Sequence, residues 1–164
     1  MADPNVYGDE WDEGFPPRAG WESRWKRLVP RGRSLGMSLY ELEPGQTQCP
    51  YHFHHGSDEL VLVLSGSPTL RTPGGERTLT PGDVVHFPTG PDGAHRIHNE
   101  GSEPARYLIA SSNVSPEVVE YPDSGKVAAL SRSGPLATVH RLGDAVDYFD
   151  GEQARGERLQ KPDI

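Results

Sequence analysis

Cysteine is nearly absent. Cys49 stands alone among 164 residues, so no intrachain disulfide can form, and nothing nearby in sequence supplies the positive field that would activate its thiol. Positive charge is also in short supply. Sixteen basic residues face 24 acidic ones for a formal charge of −8, and no long Lys/Arg run occurs, which argues against nucleic acid as a partner. Long apolar runs are missing as well. The longest, Leu60 to Leu64, is far too short to cross a bilayer, and Met1-Ala2-Asp3-Pro4-Asn5 lacks a charged region followed by an apolar stretch. The expectation is a soluble cytoplasmic protein without a membrane partner. No serine sits in a nucleophile-elbow sequence, no Cys-His pair is evident at short range, and Gly74-Gly75 lacks the lysine and helix of a phosphate loop.

Glycine and proline, by contrast, are abundant. Nineteen glycines and 16 prolines, scattered without period, suit many short strands joined by tight turns and would be tolerated poorly by a helical bundle. An all-β domain follows. Residues 1–33 carry all three tryptophans, Trp11, Trp21 and Trp25, among acidic residues, prolines and glycines without a strand or helix period. This segment reads as an arm packing on the domain or on a partner, and is too short and proline-rich for a helix-turn-helix. Strand patterns begin near Ser34. Leu60 to Leu64 is apolar on both parities, which predicts a strand buried on both faces, and Pro73-Gly74-Gly75 predicts a hairpin turn. Strands continue over Val84 to Phe87, His95 to Asn99, Arg106 to Ser111 and Pro116 to Tyr121, at the spacing of a sandwich or jelly roll. Lys126 to Leu130 and Leu136 to Leu142 are expected to pair with the sheet or a neighbour, and residues 144–156 to include a short helical turn before a polar tail.

Chemistry concentrates in His52-Phe53-His54-His55-Gly56-Ser57-Asp58-Glu59 and in Gly93-Ala94-His95-Arg96-Ile97-His98-Asn99. Histidines one residue apart on a strand share a face, so His52 and His54 can reach one ion, with Glu59 and His95 completing the set. Three imidazoles and a carboxylate suit a divalent transition metal, iron, manganese, nickel, copper or zinc, and leave two octahedral positions open.

The order His52-x-His54, Glu59, Gly66, then Gly82, Pro88-x-Gly90, His95 and Asn99 resembles the paired motifs of the cupin superfamily. Two loops, Gly45 to His52 and Gly90 to His95, are longer than the usual pattern. Phrases such as Gly82-Asp83-Val84-Val85-His86-Phe87-Pro88 and Tyr121-Pro122-Asp123-Ser124-Gly125-Lys126-Val127 are similar to those of small single-domain bacterial cupins, over about residues 35–130. The resemblance implies a double-stranded β-helix, or jelly-roll barrel, here expected over 34–121 between the arm and a C-terminal extension over 122–164.

Other residues have quieter readings. Gly66 and Gly82 are expected to be turn glycines and Asn99 a turn tie, while His98 and His140 are expected to be structural and Cys49 a small apolar residue. Tyr40, Met37, Leu39, Val61 and Phe87 are candidates for cavity wall or core. His86, His55 and Tyr51 are the candidate catalytic groups beyond the ligands. Two functions stay open: a metal-dependent dioxygenase or isomerase/lyase acting on a small oxygenated metabolite such as a sugar or carboxylate, and a non-catalytic small-molecule binding or sensing protein. The two-sided strand and the tryptophan-bearing arm both need cover, so a homodimer is expected.

Overall fold

The computed structural model describes residues 4–12, 18–30, 32–131 and 135–153. Its strands are β1 (Arg24–Arg27), β2 (Leu35–Leu42), β3 (Phe53–His54), β4 (Glu59–Ser65), β5 (Thr69–Thr72), β6 (Gly75–Thr78), β7 (Val84–Phe87), β8 (Arg96–His98), β9 (Ala105–Ser112), β10 (Glu117–Tyr121), β11 (Lys126–Leu130) and β12 (Ala137–Arg141). All pairings between them are antiparallel. The sheets run β1-β2-β9-β4-β7, β6-β5-β8 and β12-β11-β10-β3, so strands distant in sequence lie side by side, as in a jelly roll. Among the described residues the only helices are single 3₁₀ turns, and no helix is long and apolar enough to cross a membrane.

Alternation sets the interior. Val61 and Val63 of β4 pair with Ile109 and Tyr107 of β9, and these four side chains meet Leu42, Leu70, Leu79, Phe87 and Ile97 in one buried cluster. Each such side chain removed from water contributes about 1.5–3 kcal/mol. The turn after β4 needs glycine. Gly66 has φ +73°, and a Cβ there would lie 2.4 Å from the Pro104 carbonyl oxygen. Asn99, fully buried, ties the opposite end: its Nδ2 donates to the carbonyls of Leu42 and Glu103, and its Oδ1 accepts from Gly101 N–H.

Three features depart from the sequence pattern. Strand β1 lies within the segment that shows no period, and it adds an edge to β2 in the register Trp25↔Tyr40 and Arg27↔Ser38. Strand β4 is buried on one face only: Val61 and Val63 point inward, while Leu60 is 37 % exposed and Leu62 and Leu64 are half-buried. Alternation explains this, because among the described residues no second layer covers the outward parity. Finally, β10 and β11 pair with each other through residues 117–130, so the expected boundary at 121/122 falls inside a hairpin.

The arm covers the outer side of β2 and β9. Arg106 donates to Glu41 and to the Val6 carbonyl and lies 5.1 Å over the Trp11 ring, while Lys26 reaches the same ring. These contacts anchor β1, and through it one wall of the cavity described next.

Candidate metal centre and cavity

Backbone pairing assembles the site. His52 and His95 exchange both main-chain hydrogen bonds, N to O 3.1 and 2.8 Å, which joins the two histidine-bearing segments. His54 follows on β3, fastened to Val119 of β10, and Glu59 opens β4. One ligand atom from each of His52, His54 and Glu59 lies within 4.8 Å of the others. His95 joins through Glu59 and His52. Its Nε2 stands 3.3 Å from Glu59 Oε2, the same oxygen that His54 Nε2 approaches at 3.4 Å, and its ring centre is 4.6 Å from that of His52.

The imidazole tautomers follow from the carbonyls around them. His52 Nδ1 lies 2.9 Å from the Pro50 carbonyl oxygen and His95 Nδ1 2.9 Å from that of Gly93. A carbonyl oxygen only accepts, so both Nδ1 atoms donate, and the Nε2 atoms are the ones left to serve as ligands. Burial, reinforced by His95 and His54, pushes His52 down to about 3 and keeps it neutral. Burial would raise Glu59, but the flanking His54 and His95 outweigh it and hold the carboxyl well below the usual carboxylate range. The result is an anionic oxygen facing the buried Nε2 of His95, which has no hydrogen-bond partner among the described residues. An unpartnered ring nitrogen 3.3 Å from a carboxylate oxygen is an arrangement that a bound cation would satisfy. The donor set, three imidazole nitrogens and a carboxylate, therefore fits a divalent transition metal.

Packing holds the rings. Phe87 stacks on His95 with centres 3.8 Å apart, and Tyr121 lies 6.1 Å from His52. The Gly93 carbonyl reaches His95 because the chain presses against Pro88, where a Cβ on Gly93 would collide with the Pro88 carbonyl. Behind His54 stands Glu117, a fully buried residue that the sequence pattern shows only as part of a strand. Its Oε1 accepts from Gly56 N–H and Val118 N–H, its Oε2 accepts from Ser57 Oγ–H, and Oε2 also lies 3.9 Å from the otherwise unpartnered His54 Nδ1.

A cavity of about 450 Å³ reaches this centre through Glu59. Its walls include Trp25 and Arg27 of β1, Met37 and Tyr40 of β2, Ile109 of β9 and Leu130 of β11. Of the residues weighed as wall or core, Met37 and Tyr40 line the cavity, while Leu39, Val61 and Phe87 are buried. Desolvation pushes the Tyr40 phenol up to about 12, so it keeps its proton.

The three candidate catalytic groups lie elsewhere. Tyr51 packs under the Arg71 guanidinium at 4.0 Å, His55 pairs with Glu120 at 2.7 Å, and His86 is 59 % exposed near Asp58, because its parity on β7 points away from the interior. His98 is buried with Nε2 near Glu100, and His140 is exposed on β12. Cys49 differs from its sequence reading in one respect: its Sγ lies 3.6 Å from His52 Nδ1. The fold makes this pair, yet burial pushes the thiol up to about 12, so it stays protonated.

Comparison with known proteins points one way for the fold. Residues 38–111 match the cupin domain family. The tetracenomycin polyketide synthase protein TcmJ of Streptomyces glaucescens is 30 % identical over 103 residues, which span 63 % of this chain and 64 % of that protein, so less than two thirds of that relative is matched. A sugar phosphate isomerase of a cupin superfamily from Silicibacter pomeroyi superposes with TM-score 0.71 at 25 % identity, covering 90 % of this chain and 98 % of that one. A candidate sugar phosphate isomerase from Acidithiobacillus ferrooxidans superposes with TM-score 0.64 at 31 % identity, covering 74 % and 80 %.

Proposed function

Because this chain belongs to the cupin superfamily, we propose that it is a divalent-metal-dependent enzyme acting on a small oxygenated molecule in the cavity beside Glu59. The observation that carries this reading is the pair of imidazole nitrogens, on His54 and His95, aimed at one carboxylate oxygen of Glu59. His52, His54, Glu59 and His95 would hold the ion. A bound divalent metal supplies Lewis acidity, polarising a carbonyl or lowering the pKa of a hydroxyl.

The chain's own groups do the rest. Tyr40 keeps its proton and donates a hydrogen bond to an oxygen that gains negative charge during the reaction. Trp25, Met37, Ile109 and Leu130 give that oxygen apolar surroundings and limit water. Proton transfer next to a carbonyl, the chemistry of an isomerase or lyase, is favoured over oxygenation. The support is the likeness to structures described as sugar phosphate isomerases. A polyketide-like substrate, suggested by TcmJ, would be a larger oxygenated molecule for the same groups.

A second reading is favoured by one observation. None of Tyr51, His55 and His86 is among the cavity-lining residues, so none of these three candidate bases faces the substrate, as in a protein that binds or senses a small molecule without turning it over.

The deciding experiment is elemental analysis of protein purified without added metal or a histidine tag, beside a folded His52→Ala/His54→Ala variant. Near-stoichiometric iron, manganese, nickel, copper or zinc that is lost in the variant is expected. Wild type that carries no metal and takes up none on titration would overturn the metalloenzyme reading.

A further inference from the structure

Among the described residues, the cavity beside Glu59 has two charged groups in its walls, Glu59 and Arg27. Glu59 is committed to the histidines. No carboxylate among the described residues forms an ion pair with the Arg27 guanidinium, which is half-buried and lies 4.9 Å over the Trp25 ring, while the Arg27 backbone N–H donates to Asp12 Oδ2 at 2.8 Å. Four other arginines among the described residues are neutralised. Arg24 holds Glu41 and Glu43, Arg71 holds Asp123, Arg96 holds Glu76, and Arg106 holds Glu41 and Asp9. Arg18, Arg33, Arg77 and Arg141 have no ion pair among the described residues either, but they are exposed, whereas Arg27 is half-buried in the cavity wall.

The surroundings suit an oxyanion. Arg27 sits opposite Ser38 in the β1–β2 register, and Ser38, Ser111 and Asn113 share the cavity wall with it. The Trp25 ring 4.9 Å below restrains the guanidinium, whose planar N–H fork is the group best suited to bidentate recognition of a carboxylate or phosphate. A divalent ion among three neutral imidazoles and one carboxylate would carry a net charge of about +1, so a ligand with an oxyanion at one end and a hydroxyl or carbonyl at the other meets favourable charge at both.

We propose that Arg27, held by Trp25, is the specificity-determining residue of this cavity: it binds a carboxylate or phosphate of the substrate and presents the substrate's oxygenated end to the Glu59 face. This deepens the enzyme reading and rests on it for the reacting end. The anion site itself needs no metal.

The test is calorimetric titration of inorganic phosphate and, separately, of succinate into wild type, Arg27→Gln, Arg27→Lys and the surface control Arg77→Gln on β6, each in metal-depleted form, with Trp fluorescence as a second readout. Wild type is expected to bind at least one probe. Arg27→Gln should lose about tenfold or more in affinity, Arg27→Lys should retain part of it because charge without the planar fork is weaker, and Arg77→Gln should match wild type. Phosphate binding alone would identify a phosphorylated substrate, succinate alone a carboxylate, and both an unselective oxyanion site. Failure of wild type to bind either probe, or binding by Arg27→Gln equal to wild type, would overturn the proposal. Repeating the titration on His52→Ala/His54→Ala separates the two ideas: anion binding kept in that variant leaves Arg27's role standing even if no metal is found.

Discussion

Glu117 stabilises the turn before β4 and the rear of His54 with a single carboxylate. Its charge faces His54 Nδ1, and a carboxylate behind an imidazole makes the opposite nitrogen a better metal donor. Glu117→Gln keeps the volume and removes the charge, so metal affinity should fall about 10- to 100-fold, measured by chelator competition. Unchanged affinity with normal folding would mean that Glu117 serves only the turn. Asn99 and Gly66, by contrast, act on architecture alone. Both were legible in the sequence because buried turn ties and positive-φ glycines have local causes. Glu117 was not, since a glutamate in a strand looks the same whether its partners are water or a turn sixty residues away.

Among the elements, β1 and β4 carry the most consequence. β1 adds Trp25 and Arg27 to the cavity only because β2 offers an edge, and no period inside the arm announces it. β4 presents Leu60, with Val84 of β7 two residues along the neighbouring strand, to the outside, and Val84 is 58 % exposed. An apolar sheet face of this kind is expected to be covered by a second copy of the chain about a two-fold axis. Leu60→Asp/Val84→Asp should therefore shift wild-type dimer to monomer in sedimentation velocity while leaving the circular dichroism spectrum intact. A wild type already monomeric at the highest concentrations tested would rule this out.

At the scale of the whole molecule, buried protons shape the alkaline limit of stability. Desolvation pushes Cys49 and Tyr40 from ordinary values of 9.0 and 10.0 up to about 12, and it pushes Tyr107 well above 10.0. The unfolded chain releases these protons near the ordinary values, whereas the folded protein keeps them. The unfolded state thus binds fewer protons above about pH 9, and stability falls as pH rises toward about 12, with the full contribution present below pH 9. The urea midpoint should hold steady up to about pH 9 and then decline, and Tyr40→Phe should flatten part of that decline, worth on the order of 2 kcal/mol at the alkaline end. A midpoint insensitive to pH across this window would contradict the buried-proton account.

The sequence by itself determined the all-β class, through glycine and proline that no helical core tolerates, and the donor types, through a His-x-His pair whose parity puts both rings on one face. Those properties are local, set by residue chemistry and a two-residue period. The motif order singled out His52, His54, Glu59 and His95, but only the tertiary structure decided how they meet, by pairing His52 with His95, and that His86 turns outward. It also decided that Arg27 and Tyr40 line the same cavity as Glu59, that Glu117 backs His54 and that Cys49 touches His52. The reason is physical: antiparallel crossovers bring together strands far apart in the chain, and whether a side chain ends in a cavity, in the core or in water depends on what the opposing sheet places against it.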